Sequence, residues 1–156
     1  MSDHHQYDQC SCGHDHDDHD SCGHKYNREP GRQKLFGQVD EAPAIFSDTF
    51  EMDLEKEVKC DNLKALLTEW IEGLKEWAKK RKYYIGHIKA FIDSKDGYSL
   101  WLSTTGSGIN VNDKHTNQSG AVSRCSISLT MIVFGTDKKT MQKAAVEQLT
   151  HVMERA

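Results

Sequence analysis

Nine side chains in the first two dozen residues are of the types that hold transition-metal ions. They are His4, His5, Cys10, Cys12, His14, His16, His19, Cys22 and His24. Thiolate and imidazole are the usual zinc donors, in tetrahedral four-coordinate shells. Cys10-Ser-Cys12-Gly-His14 sets three donors on five residues, and Gly13 lets the backbone fold round an ion. Cys22-Gly-His24 offers further donors, closing a loop of about ten residues at low entropic cost. The tetrapeptide Ser-Cys-Gly-His occurs at 11–14 and again at 21–24, with Asp-His-Asp-Asp-His-Asp between the copies. Those carboxylates lower the local potential and add oxygen donors. The His residues are interleaved with Asp, Cys and Gly, unlike the consecutive run of a cloning tag. The donors outnumber one tetrahedral shell, and their spacing fits no standard zinc finger. Several exchanging sites are therefore expected. Zinc is the first expectation and nickel or cobalt the next, because the same donors suit all three and affinity order alone does not choose among them.

Chemistry elsewhere is sparser. His87 lies in a β-rich stretch and reads as a half-buried structural residue. Cys60 and Cys125 read as core or surface thiols, His151 as a solvated helix residue, and His115 as a loop residue able to add a metal ligand. Gly106-Ser-Gly108 resembles a phosphate-binding turn but lacks the following Lys and helix of a P-loop. No Ser/His/Asp set, paired-carboxylate site or cofactor fingerprint stands out, so no catalysis is expected.

Charge and composition agree with a metal-binding leader. Residues 1–24 hold six Asp and no Lys or Arg, so they carry −6 of a chain whose net charge is −4, leaving +2 on the rest. That balance gives no basic face for nucleic acid. No run of 18 or more apolar residues exists to span a membrane, and the N-terminus lacks the basic and apolar regions of a secretory signal. Five Cys, an odd count, without an export signal argue against a disulfide framework. The expected location is the cytoplasm.

The elements that must carry these residues follow from hydrophobic spacing. Residues 1–32 hold almost no aliphatic side chains and two aromatics, Tyr7 and Tyr26. Such a segment buries too little apolar surface to offset its ordering entropy, and is expected to be disordered without a ligand. Asn27–Arg32 serves as its linker. The domain, 33–156, begins near Lys34. Residues 44–54 alternate as an edge-type strand, with Phe46, Phe50, Met52 and Leu54 on one side. Asp61 offers an N-cap to a helix over 62–82, in which Leu63, Leu66, Leu67, Trp70, Ile71, Leu74 and Trp77 follow helical steps. Its Lys79-Lys-Arg-Lys82 run suits the helix C-terminus. Residues 83–92 and 98–104 form strands joined by the turn Asp93–Gly97. Residues 105–122, polar and Gly-rich, read as a long exposed loop. Residues 123–135 alternate strongly as a strand, and Asp137 or Thr136 caps a helix over 137–154 with Met141, Ala144, Ala145, Leu149 and Val152 inward. The expected fold class is α+β: an antiparallel sheet with two helices on one face, in the order β-α-β-β-β-α, preceded by the tail.

The folded portion resembles the C-terminal domain of the CobW-type GTPases, a metal-chaperone family associated with cobalt, zinc and nickel. The resemblance rests on the helix 62–82, the strand Ile85-Gly-His-Ile-Lys-Ala-Phe91, and the block Met131-Ile-Val-Phe-Gly-Thr-Asp-Lys-Lys-Thr-Met-Gln142, and it covers about 44–155. A His/Cys/Asp-rich stretch is also familiar in that family. Two family features are missing: the P-loop Gly-x-x-x-x-Gly-Lys-Ser/Thr, and the Cys-x-Cys-Cys metal motif, of which Cys10-Ser-Cys12-Gly is a partial echo. GTP hydrolysis by the family's mechanism is therefore not expected of this chain, and nucleotide-driven metal release would need a partner.

Together these readings imply a metal-binding accessory protein, not an enzyme. Its tail captures a divalent ion, and its domain docks on a CobW-type GTPase or a metalloenzyme. The alternative is a non-catalytic interaction module in which the α+β domain binds such a partner and the tail buffers metal.

Overall fold

The computed structural model describes residues 42–116 and 120–156. The predicted tail and linker, with their nine donors, lie outside the described residues. The elements in chain order are β1 (Ala44–Lys59), α1 (Cys60–Lys80), β2 (Tyr84–Ser94), β3 (Tyr98–Thr104), β4 (Ile109–His115), β5 (Ala121–Phe134) and α2 (Lys138–Met153). The strands form one sheet in the spatial order β1-β5-β2-β3-β4, every neighbouring pair antiparallel. The fold class is α+β, as expected, and the predicted elements follow in the predicted order. A further strand, β4, lies inside the segment read as a loop. It pairs with β3 from Tyr98↔His115 to Thr104↔Ile109.

Alternation decides which side of the sheet is covered. Phe46 on β1, Ile88, Ala90 and Ile92 on β2, Leu100 and Leu102 on β3, and Cys125, Ile127, Leu129, Met131 and Val133 on β5 are buried on the side that both helices cover. From α1 come Leu63, Leu67, Trp70, Ile71 and Leu74, and from α2 Met141, Ala145 and Leu149. The Trp70 indole N–H donates to the Ala145 carbonyl at 3.0 Å, a buried bond between the two helices. At Gly73, an added Cβ would lie 2.4 Å from Gln148 Oε1, so the missing side chain lets the helices approach there.

Helix boundaries differ from the sequence expectation by about a turn's fraction. The α1 cap position is Lys59, without a side-chain cap bond, and Asp61 lies in the first turn, where its charge favours the helix dipole. The Cys60 N–H is satisfied by the Gly120 carbonyl at 2.9 Å. The basic run ends α1, and Lys82 takes a φ of 58° as the chain turns into β2. At α2 the expected Asp137 cap is present, accepting from the Thr140 N–H at 2.9 Å.

One irregularity changes which side chains share a face. The β2–β5 register shifts between Ile85 and His87. Ile85 and Ile88 are therefore both buried, whereas His87 and Lys89 point to the uncovered side. A Cβ on Gly86 would stand 3.2 Å from the Phe134 ring and 3.3 Å from the Ile132 carbonyl oxygen, so glycine fits this close crossing.

Candidate functional site

The densest group of polar chemistry among the described residues lies where α1 begins. Here the start of β3, the end of β4 and the start of β5 converge. Asp113 and His115 are two apart on β4 and so face the same way, toward α1. The register that places Tyr98 opposite His115 and Leu100 opposite Asp113 puts both on the helix side. Asp113 Oδ2 lies 2.9 Å from His115 Nε2 and accepts a bond from Lys64 Nζ at 3.2 Å. The His115 contact first, and Lys64 next, hold the Asp113 carboxyl below its ordinary value. Beneath them Tyr98 is fully buried. Its ring centroid is 4.8 Å from that of His115, and its hydroxyl has no hydrogen-bond partner among the described residues. Burial first, then the charges of Asp113, Cys60 and Asp61, push that phenol well above its usual value.

The strand turn nearby is firmly held. Ser123 donates to Asp96 Oδ2 through both its N–H and its hydroxyl, each at 2.9 Å. Thr116 donates to the Gly97 carbonyl through its N–H at 2.7 Å and its hydroxyl at 2.9 Å. These bonds tie the β2–β3 turn to the end of β4 and the start of β5.

The other residues singled out from sequence scatter across the fold. His87 is half-buried on the uncovered side, its Nε2 without a partner among the described residues. Burial, with Lys89 second, holds it below its ordinary value. Cys125 is buried in the core, which pushes its thiol up to about 11. Such a thiol is a poor nucleophile and metal ligand. His151 is exposed in the last turn of α2. The Gly106-Ser-Gly108 turn edges an open cavity of about 460 Å³ with Lys75, Lys79, Tyr83 and Tyr84. Its Gly106 N–H is taken by Thr104 Oγ1 at 3.0 Å, and Lys75 is paired to Glu72 at 2.9 Å. The cavity also meets the C-terminal end of α1, whose dipole repels anions. Phosphate binding gains no support there.

The uncovered face carries its own pattern. Phe91 on β2 and Trp101 on β3 are directly paired, their ring centroids 5.0 Å apart. Both are exposed, as are Ile45 and Tyr84. Between them and β1 run hydroxyl pairs, Ser47 with Thr130 at 3.0 Å and Thr49 with Ser128 at 3.1 Å. Arg124 meets Asp53 at the far end.

Among the described residues no three of His, Cys, Asp or Glu lie close enough together to hold a metal ion. No described helix is long and apolar enough to cross a membrane. The sequence reading missed Asp113 and Tyr98. The available signal was period two over Ile109, Val111, Asp113 and His115, hidden by intervening Asn and Lys.

No protein-family model and no curated protein matches the chain. A solved structure, that of the zinc-bound YjiA GTPase from E. coli, is similar at 10% identity and a TM-score of 0.35, covering 65% of this chain and 29% of that one. This chain thus spans less than a third of that protein's length. A likeness at that score carries no argument about shared activity, and the CobW resemblance rests on the sequence blocks quoted above.

Proposed function

We propose that this chain is a metal-binding accessory protein without catalytic activity. Its N-terminal donors capture a divalent transition ion, zinc first and nickel or cobalt next, and buffer it for a partner or pass it on. The observation that carries this reading is the density of donors: nine imidazoles and thiols between His4 and His24. Multiple interchangeable donors release an ion stepwise, one bond replaced at a time, which suits transfer better than a closed cage. The α+β domain would then be the part that meets the recipient, a CobW-type GTPase or a metalloenzyme, in the cytoplasm. Zinc titration by calorimetry tests the reading on the full chain, against a full-length variant with all nine donors changed to Ser. The expected result is loss of tight binding in the variant, and equal binding by the two would overturn it.

A second reading, in which the domain is chiefly a protein-interaction module, is favoured by the exposed Phe91–Trp101 pair. Large aromatic side chains on an uncovered sheet face are typical anchors of interfaces. Under this reading, changing both to Ser would abolish binding to a purified CobW-type GTPase and leave metal uptake unchanged. Undiminished GTPase binding by that variant would refute it.

A further inference from the structure

We infer that Asp113 and His115 are a two-donor half-site for a divalent transition ion, whose remaining positions are filled by donors of the N-terminal tail. The shared shell rests on the tail reading above, but the half-site has its own geometry. Asp113 Oδ2 and His115 Nε2 are 2.9 Å apart. Two neighbouring ligand atoms at right angles round an ion, with bonds of about 2.1 Å, stand about 3 Å apart. The pair is therefore already at ligand spacing, with no strand movement needed. The place is also already used by a cation, since the Lys64 ammonium lies 3.2 Å from the same carboxylate oxygen and 4.0 Å from Asp61. A divalent ion entering here displaces Lys64, whose long stem can swing into water.

Tyr98 supplies a second, independent observation. It is fully buried under the pair, its hydroxyl has no partner among the described residues, and Asp113, Cys60 and Asp61 act on it electrostatically. Buried polar groups without partners are rare. A water or donor atom in the shell of a bound ion would accept the phenol's hydrogen bond. The imidazole favours zinc, nickel or cobalt over magnesium or calcium, which take oxygen donors.

Two protein donors do not close a shell, and no third lies close enough among the described residues. The tail can supply the rest. From Cys22 to Ala42 the chain reaches up to about 65 Å at roughly 3.3 Å per residue, far enough to bring Cys22 and His24 to any side of the domain. Such a shared shell would give the ion a place on the folded surface from which a recipient could take it.

The test is an amide NMR spectrum of the full-length chain with one equivalent of Co²⁺. Four proteins are compared: the unsubstituted chain, His115→Gln, Lys64→Gln, and the variant with nine tail donors changed to Ser. The unsubstituted chain should show paramagnetic broadening both in 4–24 and at Asp113–Thr116, Gly97 and Cys60–Lys64. His115→Gln should keep the tail effect and lose the domain effect, with cobalt affinity three- to tenfold lower. Lys64→Gln should bind two- to fivefold more tightly, because its competing cation is gone. The tail variant should need at least tenfold more Co²⁺ to broaden the domain signals. Broadening confined to 4–24 in the unsubstituted chain, or unchanged domain broadening in His115→Gln, would overturn the half-site while leaving metal capture by the tail intact. Equal domain broadening by the tail variant at one equivalent would overturn the shared shell and count against the tail reading instead.

Discussion

Trp70 and His87 show how much one side chain can decide here. Trp70 fills the space between the helices and also bonds Ala145. Trp70→Phe keeps much of the volume and removes the donor, for an expected loss of about 1–2 kcal/mol. Trp70→Ala opens a cavity as well, at about 3–5 kcal/mol. Urea denaturation of the two variants separates packing from the hydrogen bond, and equal losses would contradict the division. His87 is different, because burial and then Lys89 hold it below 6.5. A base depressed in the folded state favours folding while neutral. Its contribution is therefore full above about pH 6.5 and is lost as pH falls from there toward the folded value. His87→Gln should flatten the stability profile between about pH 7.5 and 5, as read by thermal melts of metal-free protein. The Trp70 position was legible, because helical spacing marks a core face. The His87 face was not, because alternation from Ile85 would have put the two on one side and the shift at Gly86 separates them.

At the scale of elements, Gly86 carries the clearest prediction. A methyl group there meets an aromatic ring and a backbone carbonyl, neither of which yields freely. Gly86→Ala should cost about 1–3 kcal/mol and move amide shifts along β2 and β5; a neutral substitution would mean the bulge can relax. Carboxylates set the acid limit of the turns and caps. Asp96 is lowered mainly by its two bonds from Ser123, and Asp137 by those from Thr140. Groups depressed in this way contribute above about pH 3.8 and lose that contribution as pH falls below it. Asp96→Asn should accordingly show a smaller acid-induced drop in melting temperature than the unsubstituted chain. Helices and inner strands were readable because their apolar residues repeat at 3.6 or 2. The edge strand β4 was not, since one side of an edge faces water and its Asn, Asp, Lys and His read as loop. With it went the position of Asp113, and so the polar group at the start of α1.

For the whole molecule, the division is between a donor-rich leader and a domain whose described residues close no metal shell alone. That leader was legible from residue types, since thiols and imidazoles announce their chemistry without a fold. The domain's surface roles were not, because Phe91 and Trp101 look like core in a strand pattern until the sheet is known to be covered on one side. Metal affinity of the full chain should weaken below about pH 6, where protons compete for imidazole and thiolate. A binding curve flat from pH 7.5 to 5 would speak against His and Cys as the donors.

Finally, β1 ends at Lys59 and α1 begins at Cys60, so strand and helix are spliced without a spacer. Just upstream, the β1–β5 pairing breaks between Asp53 and Val58, leaving Leu54–Glu57 outside the ladder. Slack is thus stored before the splice and none within it. Two glycines inserted after Glu55 should leave a cooperative melt. The same pair inserted after Lys59 would uncouple the helix from the strand that aims it, and with it Lys64 from Asp113.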